Sequence, residues 1–169
     1  MKGWLLTLAL LCTGVSPAQE LEIADTGELE GVGITCTALA VFAQARHESY
    51  FGQALVAQVV LNQQMRLPLG ADACDVITQR GQFPVIDAWA FPRDPWGDDP
   101  GAWRRAVEIA EAVSSGDYYI PPPCHAATTF RPVSDEAPAD HVEVCEVGTL
   151  RFYAPADLLQ IVATTGPAP

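Results

Sequence analysis

The stretch FAQARHESYFGQALVAQVVLNQ, Phe42 to Gln63, decides how this chain is read. Its first part continues an apolar spacing set by Cys36, Leu39, Ala40 and Ala43, which predicts a helix over Thr35–His47 with Thr35 as N-cap. Gly52 to Gln64 is rich in Ala and Val and nearly apolar through Val60 and Leu61, so it predicts a second, buried helix at the centre of the domain. Between the two lie an amide and an acid four residues apart, Gln44 and Glu48. On one continuing helix their side chains would share a face, with Cβ atoms about 6 Å apart. A carboxylic acid can lend a proton and recover it, whereas a primary amide has none to give near neutral pH.

Downstream, Pro68 and Gly70 close the second helix, and Asp72 to Gln79 predicts a short third one ending near Gly81. Phe83 to Pro100 holds four prolines and the aromatics Trp89, Phe91 and Trp96 without a period, and a loop of this length in a compact domain is often functional. Asp99 and Pro100 read as N-cap and N1 of a helix to Ser115, with Trp103, Ala106, Val107, Ala110 and Val113 on one stripe and Gly116 as the stop. His141–Val144 and Leu150–Tyr153 alternate about Gly148, the pattern of a small C-terminal β-hairpin. The fold class is therefore mainly α, an α+β arrangement.

At the other end, Met1–Ala18 has one basic residue, an apolar run from Trp4 to Cys12 and small residues before Gln19, the pattern of a secretory signal peptide. Residues 19–33 carry five acids, no base and glycines at 27, 31 and 33, which read as a solvated acidic linker. The domain is expected over residues 34–160 and a disordered tail over 161–169. Removal of the signal takes the only lysine and leaves eight Arg against 21 Asp and Glu, a net charge of −13. Such a chain has no basic face for nucleic acid and no attraction to an anionic membrane surface. An exported, periplasmic or secreted monomer is the expectation.

Four cysteines remain after Cys12 leaves with the signal, an even number that predicts two disulfides in an exported chain. Three connectivities are open, and Cys124 with Cys145 is favoured because both lie in the C-terminal third, leaving Cys36 for Cys74. Zinc needs ligands two to four residues apart, a spacing these cysteines lack, so no metal is expected. No phosphate-binding glycine loop or Ser, His and Asp grouping is present either, and no cofactor is expected.

The quoted stretch resembles the signature of SleB-type (spore-cortex-lytic) cell wall hydrolases, which reads Tyr-Gly-Glu-Ala-Arg-Gly-Glu, an aromatic, Gly-Gln and an apolar run ending Val-Leu-Asn. Three further blocks follow in the family's order: CDVITQRGQFPVIDAW from Cys74, AWRRAVEIAEAVSSG from Ala102 and GTLRFY from Gly148. The first Glu of the signature falls on Gln44 and the second on Glu48; His47 replaces a Gly, Thr78 a Tyr and Leu150 a His. The resemblance implies a lysozyme-like helical domain that cleaves peptidoglycan glycan strands by a lysozyme or lytic-transglycosylase route, with an acid at the end of the first core helix.

Gln44 forfeits proton donation at that position, and Glu48 becomes the candidate acid. The competing role for Glu48 is structural, pairing with Arg46 or capping the next helix near Ser49–Gly52. Gln82 and Phe83 would line the groove by resemblance, though Phe83 also suits a core. Trp89 and Trp96 present faces that stack on sugars or pin the loop. His125 is a weaker substrate-binding candidate, and Asn62 is suited to a structural backbone contact. A binding descendant without catalysis is the alternative to a hydrolase.

Overall fold

The computed structural model describes residues 26–83, 86 and 95–158. The expected signal segment, the tail, Trp89 and most of the proline-rich loop lie outside the described residues. Helix α1 (Thr26–Ala45) is followed by α2 (Tyr50–Gln64), α3 (Ala73–Ile77), a short α4 (Pro95–Asp98) and α5 (Pro100–Ser114). A 3₁₀ turn at Cys124–Ala126 then leads into β1 (Thr129–Pro132), β2 (His141–Val147) and β3 (Leu150–Pro155). The strands form one antiparallel sheet in the order β1-β3-β2. The mainly helical α+β class is as expected, and the strand the sequence reading lacked is β1.

One boundary needs correction. Residues 26–33, read as linker, are the first turns of α1, and Thr35 lies inside the helix rather than capping it. The hydroxyls of Thr35 and Thr37 donate back to Gly31 O and Gly33 O at 2.9 and 3.0 Å, so the helix itself satisfies them. Acidic residues are favoured near a helix start, so the composition that reads as a solvated linker also suits a helix N-terminus.

Helix α2 is the centre of the molecule: every residue from Gly52 to Ala57 is buried. Helix α1 adds Ala38, Val41 and Phe42 to the same core, and α5 contributes Ala106, Ala110 and Val113 from the predicted stripe together with Ala102 and Ile109. The caps follow the local chemistry. Asp99 accepts from Ala102 N with Pro100 at N1, Asp72 forms a reciprocal capping box with Asp75, and Gly116 turns the chain at φ +81°. Cys36–Cys74 joins α1 to α3 and Cys124–Cys145 joins the 3₁₀ turn to β2, with Cα separations of 5.1 and 5.4 Å.

The sheet packs its inner face through Phe130, Phe152 and Leu150, with Phe83 against Phe130 at 5.9 Å. On β3, Arg151 pairs with Glu146 at 2.7 Å and Glu143 at 3.8 Å. The Glu146 hydrogen bond, with both acids' charge, holds the guanidinium above its ordinary pKa. The sheet is tied to the far end of α2 by Asn62, whose Nδ2 donates to His125 O at 2.8 Å and Ala127 O at 2.7 Å while its Oδ1 accepts from Gln58. Replacing Asn62 with Ala strands those carbonyls at the junction. The expected loss is about 1–3 kcal/mol in urea unfolding, with the folded far-UV spectrum unchanged.

Candidate functional site

The site grows from a turn. α1 ends at Ala45, and the amide of Glu48 bonds back to Ala45 O at 2.9 Å. The Ser49 hydroxyl then accepts from Gly52 N at 3.2 Å and starts α2. Gln44 and Glu48 are therefore not on one continuing helix, because Ser49 ends the run by capping the next element. Gln53, buried in α2, donates its Nε2 to Glu48 O at 2.9 Å and fixes the elbow from below.

Neither structural partner expected for Glu48 holds its carboxylate. Arg46 points instead to Asp98, with Nη1–Oδ2 at 3.1 Å, donates Nε to His47 Nε2 at 3.2 Å, and lies over the Phe42 ring at 5.1 Å. The α2 cap is Ser49. The Glu48 carboxylate crosses to the β2–β3 turn, where it accepts the Thr149 N–H at 3.3 and 3.4 Å and the Thr149 hydroxyl. Gly148 makes the approach possible. Its φ is +60°, and a Cβ there would overlap Glu48 Oε2. Gly52 supplies the matching gap on the helix side, with Glu48 Cβ and Val147 Cγ1 at 3.1 and 3.4 Å from where its own Cβ would stand.

The other candidates separate into groups. Gln44 is half-buried in the last turn of α1, and its Nε2 is buried without a hydrogen-bond partner among the described residues. Phe83, at 1% exposure, packs in the core beside Phe130, the alternative that its ring also suited. Gln82 beside it is half-buried. His125 is exposed on the 3₁₀ turn next to Asn62, about 18 Å along α2 from Tyr50 at 1.5 Å per residue, so it is not gathered with Glu48. Leu150 is buried under the hairpin, which accounts for an apolar residue there. The sequence reading missed Thr149, Gly148 and Asp98. Only the Gly148 turn left a local signal.

A cavity of about 1050 Å³ opens between α1, α2, α3 and α5, lined among others by Ile34, Leu61, Ala73, Glu108 and Glu111. Neither Gln44 nor Glu48 lines it. No group of three or more His, Cys, Asp or Glu among the described residues is arranged to hold a metal. No helix of the described residues is long and apolar enough to cross a membrane.

A family model described as Cell Wall Hydrolase matches residues 47–153, a span that includes Glu48 and Thr149 and begins after Gln44. Among solved structures the chain is similar to the catalytic domain of the germination-specific lytic transglycosylase SleB from Bacillus anthracis. The two are 19% identical with a TM-score of 0.55, over 72% of this chain and 93% of that one. At that identity the likeness shows a common fold, in agreement with the mainly helical domain expected. A comparison with curated protein sequences gave no match.

The Gly148 contact gives a coupled prediction. Gly148→Ala is expected to cost about 1–3 kcal/mol in thermal or urea unfolding, from its positive φ and from displacing the carboxylate. In a Glu48→Ala background the same change should retain the backbone cost alone, and a double-mutant cycle measures the difference.

Proposed function

The chain belongs to the cell wall hydrolase family, and on that premise we propose that it acts on the glycan strands of peptidoglycan, with Glu48 as the group that moves protons. The observation that carries this reading is the Glu48 carboxylate itself, fixed by Thr149 at the seam between the helical elbow and the β2–β3 turn. Of the two residues aligned with acids in the resembling signature, only Glu48 can transfer a proton.

In this mechanism the protonated Glu48 carboxyl donates to the glycosidic oxygen, the bonding pair leaves with that oxygen, and an oxocarbenium-like centre forms on the sugar. Glu48, now a carboxylate, takes the proton of the nucleophile that closes the reaction, either water or the sugar's own 6-hydroxyl. One carboxyl group suffices for the second outcome because it serves in turn as acid and base. Thr149 orients the carboxylate through a backbone and a side-chain donor. Gln44 lacks a transferable proton.

We place this activity outside the cytoplasm. The Met1–Ala18 segment has the pattern of an export signal. Disulfides persist in oxidising compartments, and the described residues hold two. A second reading is a descendant that binds glycan without cutting it. It is favoured by the amide of Gln44 standing where the resembling signature carries its first acid.

The test is incubation of the mature protein with purified sacculi and chromatography of released muropeptides. Wild type is expected to release them, Glu48→Gln to slow release about 10²- to 10⁴-fold, and Gln44→Glu to raise it. Release by Glu48→Gln at the wild-type rate would remove Glu48 from the chemistry. No release by wild type or Gln44→Glu, with both sedimenting with sacculi, selects the binding reading.

A further inference from the structure

The first turn of α2 carries an aromatic surface that the proton-transfer chemistry leaves unused. Tyr50, the first residue of α2, is 42% exposed although it stands in an otherwise buried helix. Its ring meets that of Tyr118 with centroids 5.2 Å apart and planes inclined by 52°. Rings inclined at that angle are not stacked face to face, so the pair makes a wedge in which Tyr118 is half-buried against the core and Tyr50 is the exposed member. Tyr118 is held from below, because Gly116 reverses the chain after α5 and the Tyr118 N–H bonds to Ala112 O at 2.9 Å. Tyr119, next in the chain, is 76% exposed.

The position of the wedge relative to Glu48 follows from helix geometry. Glu48 and Tyr50 are two residues apart, which limits their Cα separation to about 7 Å. Gly52 faces Glu48 and Val147. Tyr50, two residues earlier, projects about 200° around the helix from Gly52, away from the β2–β3 turn. The carboxylate and the tyrosine pair therefore flank the N-terminal end of α2 on opposite sides.

We infer that Tyr50 and Tyr118 form a stacking subsite for a neutral N-acetylated pyranose of the same glycan strand whose linkage lies at Glu48. The inference rests on the peptidoglycan reading and names a part of that site. A pyranose offers an apolar C–H face and a hydroxyl rim, and a tyrosine offers an apolar ring face with a hydroxyl at its tip. The net charge of −12 disfavours an anionic occupant. No basic residue is needed for a neutral sugar.

The test measures binding of a β-1,4-linked N-acetylglucosamine hexamer by calorimetry and of sacculi by sedimentation, using the intact protein. Wild type is expected to bind both. Tyr50→Ala and Tyr118→Ala are expected to weaken hexamer binding about 10-fold with melting temperatures close to wild type, and Tyr50→Phe to keep most of the affinity. Tyr50→Leu, which keeps apolar bulk without an aromatic face, guards against loss of folding and should bind as weakly as Tyr50→Ala. Wild-type affinity in folded Tyr50→Leu or Tyr50→Ala overturns the subsite while leaving the glycan reading intact. Failure of wild type to bind either hexamer or sacculi overturns both.

Discussion

The domain depends on how α2 is gripped at its two ends. At its N-terminal end the Glu48 carboxylate receives Thr149 from the β2–β3 turn, and at its C-terminal end Asn62 and Gln63 donate to the carbonyls of His125, Ala127 and Thr128. Between these grips the helix is buried on nearly all sides and so has no free face to shift along. The sheet is thus registered on the helical layer by a few directional polar contacts, while apolar burial supplies the bulk of the attraction. Glu48 is consequently a structural clasp as well as the proposed proton-transfer group. Any change there acts on both.

The pattern of buried residues was readable wherever one element decided it. The α5 stripe, its Asp99–Pro100 start, the Gly116 stop and the apolar α2 all follow from spacing and local side-chain chemistry, and the hairpin follows from alternation about Gly148. What escaped depends on contacts distant in the chain. Thr149 reaches Glu48 across 101 positions, and Arg46 chooses Asp98 across 52. Nothing local marks either pairing. β1 was missed because four residues beside a sheet edge carry too short an alternation to stand out, and its pairing partner lies some 20 positions downstream. The start of α1 was misjudged because acids and glycines suit both a linker and a helix terminus.

The site is also a lesson in how neighbouring residues divide their roles. Four positions in sequence, Arg46 to Ser49, send their side chains to different destinations: Arg46 to Asp98 and Phe42, His47 to Arg46, Glu48 to the hairpin and Ser49 to its own helix. A continuous helix through this segment would have placed Gln44 and Glu48 on one face. The Ser49 cap breaks that relation and turns the acid outward to a second element. The family signature around Glu48 therefore marks a corner in the backbone.

Both covalent cross-links stay within one half of the molecule. Cys36–Cys74 fastens helix to helix, and Cys124–Cys145 fastens the 3₁₀ turn to its neighbouring strand. Among the described residues no disulfide bridges the helical half to the sheet. A reductant would loosen each half internally, while the seating of the sheet on the helices rests on non-covalent contacts alone.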